Sequence, residues 1–391
     1  MMQIHDLDVT NKRVLMRVDF NVPMDSSGNI TDDTRIQGVL PTIRLLIEKN
    51  ARVVLCSHCG RPKGQRLEKF SLAPAAKRLS ELLKQPVLMA PDCLGPESMA
   101  MADGLKAGEI MLLENLRFHP EEQKNDPDFA KALSAFGDCY INDAFAVSHR
   151  ADASVEGVTH YFTAKAAGLL LYREIEFFNK AVINPARPLM AILGGAKVSS
   201  KLSAIRNMLD RVNGMIIGGA MANTFLKAQG HDIGSSLVEN DLLDTARELL
   251  SLASNKNITI HLPTDFVVAD TFAADATTRI VGLDKVPNGW MILDIGPDSA
   301  ASFTKALAEA KTIVWNGPMG AFEMTPFANG STALVQAVTN SSALSIVGGG
   351  DTNALINQAN AGNKVSYMST GGGAFLELME GKQLPGVTAL D

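Results

Sequence analysis

Val14-Leu15-Met16-Arg17-Val18-Asp19-Phe20 decides the fold, because a helical stretch (34–49) follows it and then a second apolar run, Arg52-Val53-Val54-Leu55-Cys56. Strand, helix and strand in that order form a crossover unit, which predicts parallel pairing with helices covering the sheet. The alternation continues through a helix at 71–84, a strand at 110–113, a helix at 126–136 and a strand at 139–142. Leu171, Ile175, Phe178 and Val182 then fall on one helix face, and Asn184-Pro185-Ala186-Arg187-Pro188 breaks that helix. Beyond the break, strands are predicted near 189–193, 215–217, 258–261, 290–293, 312–315, 344–347 and 365–368, with helical patterns between them. The expected class is α/β: two doubly wound, Rossmann-like parallel-sheet lobes, 1–170 and 188–374, joined by a hinge helix and linker at 171–187.

The chain has 391 residues, 46% of them hydrophobic, enough to bury two cores. A formal net charge of −6 argues against nucleic acid or an anionic membrane as a partner. No apolar run has the length of a membrane span, and the first 13 residues lack a secretory pattern, so the cytoplasm is the expected location. No heptad run marks self-association, and a monomer is expected. The cysteines (Cys56, Cys59, Cys93 and Cys139) are too scattered for a disulfide framework. Cys56-Ser57-His58-Cys59 lacks the second ligand pair of a structural zinc site and reads as two free thiols.

Ligands of open parallel sheets bind beyond the carboxyl ends of the strands. Along the first strand Val14, Met16, Val18 and Phe20 alternate with Arg17, Asp19 and Asn21, so one face packs and the other gathers polar groups. The later strands run into Ser57-His58-Cys59-Gly60-Arg61-Pro62, Glu114-Asn115-Leu116-Arg117-Phe118-His119 and Asp143-Ala144-Phe145-Ala146-Val147-Ser148-His149-Arg150. With Arg35 at the start of the first helix, up to five guanidinium groups are expected on one rim. Their planar forks suit phosphate and carboxylate.

The back half ends its strands on glycine instead, at Gly194-Gly195, Gly348-Gly349-Gly350 and Gly371-Gly372-Gly373. Glycine admits close approach of a phosphate, and the first amides of a helix supply donors. Lys197 and Lys201, four apart, would share a face if helical. Asp351 beside Thr352 is a candidate magnesium ligand, since a carboxylate next to phosphate calls for a cation between them. Neither G-x-x-x-x-G-K-[ST] nor G-x-G-x-x-G occurs in the chain, which weakens a Walker or dinucleotide reading.

Arg17-Val18-Asp19-Phe20-Asn21-Val22-Pro23, Ser57-His58-x-Gly60-Arg61-Pro62, Glu114 to Phe118, Gly194 to Lys201, Trp315-Asn316-Gly317-Pro318, Gly348 to Thr352 and Ser369 to Gly373 together resemble phosphoglycerate kinase signatures, in order, across essentially the whole chain. The resemblance implies an amino-terminal lobe for 3-phosphoglycerate or 1,3-bisphosphoglycerate, and a second lobe for ADP or ATP with Mg2+. It also implies that residues from about 375 to 391 return to the first lobe. Carried over by motif, Asp19 and Asn21 bind the glycerate portion. His58, Arg61, Arg117 and Arg150 surround its phosphate, and Arg35 addresses the reacting carboxyl. Lys197 and Lys201 contact nucleotide phosphates, Glu323 the nucleoside, and Gly349, Gly350, Asp351 and Thr352 the phosphate and metal. Gly371, Gly372 and Gly373 stabilise the group in transit. Ala146-Val147-Ser148, Asp152 and Cys59 depart from the family's usual residues, and a thiol beside His58 would make activity sensitive to thiol reagents. Two doubly wound lobes also suit a nicotinamide-dependent dehydrogenase or a nonenzymatic metabolite-binding protein; turnover of 3-phosphoglycerate with magnesium-ATP discriminates among them.

Overall fold

The structure is a computed structural model and describes residues 2–391. Six strands of the first half, β1 (Arg13–Arg17), β2 (Arg52–Cys56), β3 (Val87–Met89), β4 (Ile110–Leu112), β5 (Cys139–Asn142) and β6 (Lys165–Ala167), form one sheet in the order β3-β4-β2-β1-β5-β6. All its pairings are parallel. The predicted alternation accounts for the four central strands. The edge strands β3 and β6 escape it because neither carries a buried run of large apolar residues like the equally short β4: β3 is partly exposed throughout and β6 reads Lys165-Ala166-Ala167. Val14, Met16, Val18 and Phe20 are fully buried, packed with Ile36, Val39 and Ile43 of the helix Thr34–Glu48.

The second half contributes β7 (Leu189–Leu193), β8 (Gly214–Ile217), β9 (Thr259–His261), β10 (Asp265–Ala269), β11 (Thr278–Gly282), β12 (Met291–Ile295), β13 (Thr312–Asn316), β14 (Leu344–Val347) and β15 (Tyr367–Met368). Six of these make a second parallel sheet in the order β15-β14-β13-β7-β8-β9. The strand expected near 290–293 is β12, and it lies outside that sheet, in a separate antiparallel one of order β11-β10-β12. The reason is chain length: β10 begins four residues after β9 ends, too soon for the crossover that a parallel return needs.

The chain divides into two compact units, one running to Ile175 and taking back Gln383–Asp391, the other spanning Glu176–Lys382. The division falls within the helix Leu169–Phe178. Residues 375–382, expected to lie in the returning segment, belong to the second unit, where Asn207 Nδ2 donates to Met379 O at 2.7 Å; the return begins at Gln383. The returning tail is stitched to the first sheet: Asn142 Nδ2 donates to Gly386 O (2.9 Å), Lys165 Nζ to Ala389 O (2.6 Å) and Gly386 N to Ser148 O (2.9 Å). Within each unit the strand order reverses beside one central strand, β1 between β2 and β5 in the first and β7 between β8 and β13 in the second. The carboxyl ends of these strands open the crevices where such sheets bind ligands.

Candidate functional site

In the first unit, β1 ends on Arg17, in register with Cys56 and Asn142. Arg17 is fully buried, not on an open polar face as the alternation predicts. Its Nε donates to Ser154 Oγ at 2.7 Å, its Nη1 to Val18 O, and its Nη2 lies 3.3 Å from His58 Nδ1. Ser154 in turn is held by the buried Glu122, whose carboxylate accepts from Ser154 N (2.9 Å) and Ser154 Oγ (2.5 Å). A guanidinium has no acceptor, so His58 Nδ1 must accept and the proton sits on Nε2. Burial, and then the charges of Arg17, Arg117, Arg150 and Arg35, push the His58 pKa well below its ordinary value. His58 is therefore a neutral imidazole that presents an N–H.

Around it, Asp19 Oδ2 pairs with Arg35 Nη1 at 2.7 Å, and Asn21 O accepts from the same nitrogen at 3.1 Å. Arg35 is thus aimed by two acceptors, while Nε and Nη2 are left for a ligand. Asn21 Oδ1 is used internally, accepting from Gly60 N at 2.8 Å. Gly60 has φ +62°, and a Cβ there would meet the Phe70 ring at 2.4 Å, so this turn requires glycine. Arg117 is buried, with Nη1 donating to Gly60 O (3.0 Å) and Nη2 3.9 Å from Asp152 Oδ2, while its buried Nε has no hydrogen-bond partner. An unpaired buried guanidinium N–H is costly unless an anion completes it. Arg150 Nε lies 3.3 Å from His149 Nε2. Arg17, Arg35, Arg117 and Arg150 all reach His58 electrostatically. Arg61 does not join them: it is exposed and forms no ion pair among the described residues. Cys59 is buried and its thiol is pushed up to about 11 by burial, so it is a poor target for thiol reagents, against expectation. The Cys56 thiol, likewise buried, is pushed up to about 12.

In the second unit, β7 and β13 run side by side with Leu193 opposite Asn316. Beyond them Gly194 to Lys201 form turns, and the helix begins only at Leu202. Lys197 and Lys201 therefore do not share a helix face. Lys197 is exposed, whereas Lys201 folds back to donate from Nζ to Gly194 O (2.5 Å) and Asn316 O (2.8 Å). Burial lowers the Lys201 pKa to about 8, opposed by the charge of Asp351. Gly317 has φ +102°, and a Cβ there would lie 2.5 Å from Lys201 Nζ.

Thr352 is buried, and its Oγ1 accepts from Gly317 N at 2.7 Å, tying the helix Gly350–Gln358 to β13. Gly349 precedes that helix with φ +102°, and Asn316 Nδ2 donates to Gly348 O at 2.9 Å. Gly371 is the N-cap of the helix Gly372–Met379; Gly372 is half-buried and Gly373 exposed. A Cβ on Gly372 would lie 3.8 Å from Gly349 Cα, so these two glycine junctions adjoin each other. Asp351 is exposed on the first turn of its helix, with no hydrogen bond among the described residues. It lines a cleft of about 490 Å³, mostly apolar, together with Gly195, Ala220, Asn223, Leu237 and Glu323. Sequence reasoning missed Asn223, whose Nδ2 donates to Leu237 O (3.1 Å) while its buried Oδ1 has no partner. It also missed Asp294 in the same lining, a carboxyl raised to about 7 by burial and bound by the amides of Gly330 and Ile295. Neither residue lies in a patterned motif, and only the cleft groups them.

The first unit thus holds a cationic pocket around a neutral histidine, and the second an apolar cleft edged by a helix amino-terminus and the carboxylate of Asp351. The sequence profile described as phosphoglycerate kinase matches residues 4–382. The chain belongs to the phosphoglycerate kinase family. It is therefore a kinase, a phosphotransferase enzyme. The chain is 56% identical over 391 residues to phosphoglycerate kinase of Desulfotalea psychrophila, covering 100% of both chains. It is 56% identical over 384 residues to that of Geotalea uraniireducens, covering 98% of this chain and 96% of the relative. Among solved structures it is similar to phosphoglycerate kinase from Coxiella burnetii, with TM-score 0.91, 44% identity, and 100% and 98% coverage. For the Pyrococcus horikoshii enzyme the TM-score is 0.86 at 35% identity, again covering 100% and 98%.

Proposed function

We propose that the chain transfers a phosphoryl group reversibly and directly between 1,3-bisphosphoglycerate and ADP, giving 3-phosphoglycerate and ATP. The observation that carries this reading is the set of four guanidinium groups around a neutral, N–H-presenting His58, with a nucleotide-sized cleft in the other unit. His58, Arg117 and Arg150, joined by Arg61 from the exposed rim, receive the phosphate of the glycerate. Asp19 and Asn21 hold its hydroxyl end, and Arg35 faces the carboxyl. An ionised carboxylate needs no base to activate it, which agrees with a pocket rich in N–H donors. Lys197 and Lys201 meet the nucleotide phosphates, Glu323 the ribose side, and Gly349, Gly350 and Thr352 the backbone cradle. The amides of Gly371, Gly372 and Gly373 face the group in transit. Catalysis is then positioning and charge stabilisation.

Asp351 fits a magnesium role: it is an exposed hard oxygen donor, free of hydrogen bonds, on the rim of the same cleft. Bound with the nucleotide, the ion would neutralise phosphate charge. Asp351→Asn is expected to raise the magnesium concentration needed for half-maximal activity by roughly tenfold or more; an unchanged magnesium dependence would remove it as a ligand. The protein acts as a cytoplasmic monomer in this reading. Because the two residue sets belong to different units, in-line transfer demands that the units close on both substrates. A coupled assay with 3-phosphoglycerate and magnesium-ATP tests the reaction, and no nucleotide consumption would refute it. Solution scattering tests closure: the doubly liganded protein is expected to be more compact than the free one, and equal radii would count against it.

A further inference from the structure

Cys93 lies outside the Cys56 to Cys59 run and has a carboxylate and an imidazole beside it. Asp92, Cys93 and His119 bring one ligand atom each to within 4.8 Å of one another, from a turn before the helix Pro96–Asp103 and from the residue that ends the turn Leu116–Phe118. None of the three has a part in the phosphoryl-transfer reading.

The group is rigidly held. Cys93 N donates to Asp92 Oδ1 at 2.6 Å, and His119 Nε2 lies 2.8 Å from the same oxygen. Ser98 Oγ donates to Asp92 O at 2.8 Å, and the His119 ring rests on Phe129 with centroids 5.7 Å apart. Cys93 is fully buried, whereas the Asp92 and His119 side chains keep 37% and 31% exposure, so solvent reaches the cluster from one side. Three donors of graded softness with one open side supply the ligand number of a tetrahedral site that keeps a water in its fourth position, and a small inward movement of the three would close them on one ion. Thiolate and imidazole select zinc-class ions over magnesium.

We propose that Asp92, Cys93 and His119 form a binding site for a single thiophilic divalent cation, of which zinc is the type. On binding, the Cys93 thiol releases its proton to solvent and the sulfur joins the metal. The proton that His119 Nε2 shares with Asp92 moves to Nδ1, or to solvent if the ring is charged, which frees the Nε2 lone pair, and the contact between His119 and Asp92 is exchanged for two metal–ligand bonds. Arg66 stands at the mouth, Nη1 3.9 Å from Asp92 Oδ2, on a side chain 59% exposed that leans over the Phe118 ring. It competes with the cation for Asp92, and its exposure leaves it free to swing away.

The test uses the full chain, cleared of metal with a chelator and titrated with Zn2+ by calorimetry and with Co2+ by absorption. One equivalent is expected, with a sulfur-to-cobalt charge-transfer band. Cys93→Ala is expected to abolish the band, and Cys93→Ala and His119→Gln each to weaken Zn2+ binding roughly tenfold or more. Arg66→Gln is expected to tighten it. The inference is overturned if no saturable equivalent appears, or if His119→Gln, a half-exposed change that leaves the fold intact by circular dichroism, binds as the parent does. It is also overturned if the cobalt band survives in Cys93→Ala. If that variant does not fold, His119→Gln and the parent's cobalt spectrum decide alone. The readouts are binding and spectra, so the outcome is independent of whether the kinase reading holds.

Discussion

Arg35→Ala lowers kcat by roughly 10³-fold or more, while the KM for 3-phosphoglycerate changes far less. The expectation rests on how Arg35 is aimed. One Nη nitrogen is committed to Asp19 Oδ2 and Asn21 O, which leaves the other N–H groups of the fork uncommitted among the described residues. A cation held that way gains most when negative charge spreads over the transferring phosphoryl group. Truncation also strips the buried Asp19 of its partner, so the variant is expected to lose stability as well. Steady-state kinetics in both directions, corrected for folded fraction by thermal melting, checks the prediction. An effect confined to KM would make Arg35 a ground-state binding residue only.

Lys201→Ala is expected to cost about 10²–10³ in kcat, the scale of removing one preorganised donor from a developing charge. Lys201→Arg restores little of it, because a planar fork cannot take the place of a point charge held between Gly194 O and Asn316 O. The lysine also gives a pH signature. With its pKa lowered to about 8 by burial, it is charged below that pH and loses its proton as pH rises through it. Nucleotide affinity of the free enzyme should therefore be level below pH 8 and decline above it. Phosphate binding raises the lysine pKa, so kcat holds to higher pH than kcat/KM does. Profiles of kcat and kcat/KM against pH test this, and an alkaline limb that persists unchanged in Lys201→Ala would assign it to another group.

Much of this site was legible because strand ends are short-range features. Arginine after one set of strands and glycine after the other are visible within a few residues, and the sheet rule places the strand ends at one crevice in each unit, although Arg61 stays exposed outside the cationic cluster. What was hidden is non-local or unpatterned. Arg17 sits on the polar face of its strand by alternation, yet Ser154 and Glu122, far along the chain, take its charge into the interior and make it the group that orients His58. The lysine pair looked helical by spacing, but the Gly194–Gly195 turn keeps the backbone from entering a helix until Leu202. The antiparallel sheet was obscured because β11 is almost wholly exposed, so no buried period marks it. His119 joins the consecutive Asp92 and Cys93 only through the tertiary fold.

The returning tail has a consequence for how the protein is made. Asn142 and Lys165, on strands of the first sheet, bond the carbonyls of Gly386 and Ala389, which follow the whole of the second unit in the chain. The unit whose strands are synthesised first is therefore completed last, after the whole of the second unit has emerged. A ribosome that stalls, or a protease that nicks before Gln383, leaves the early-made sheet lacking its final stitches. Synthesis of the second unit is thus built into the structure of the first as a requirement.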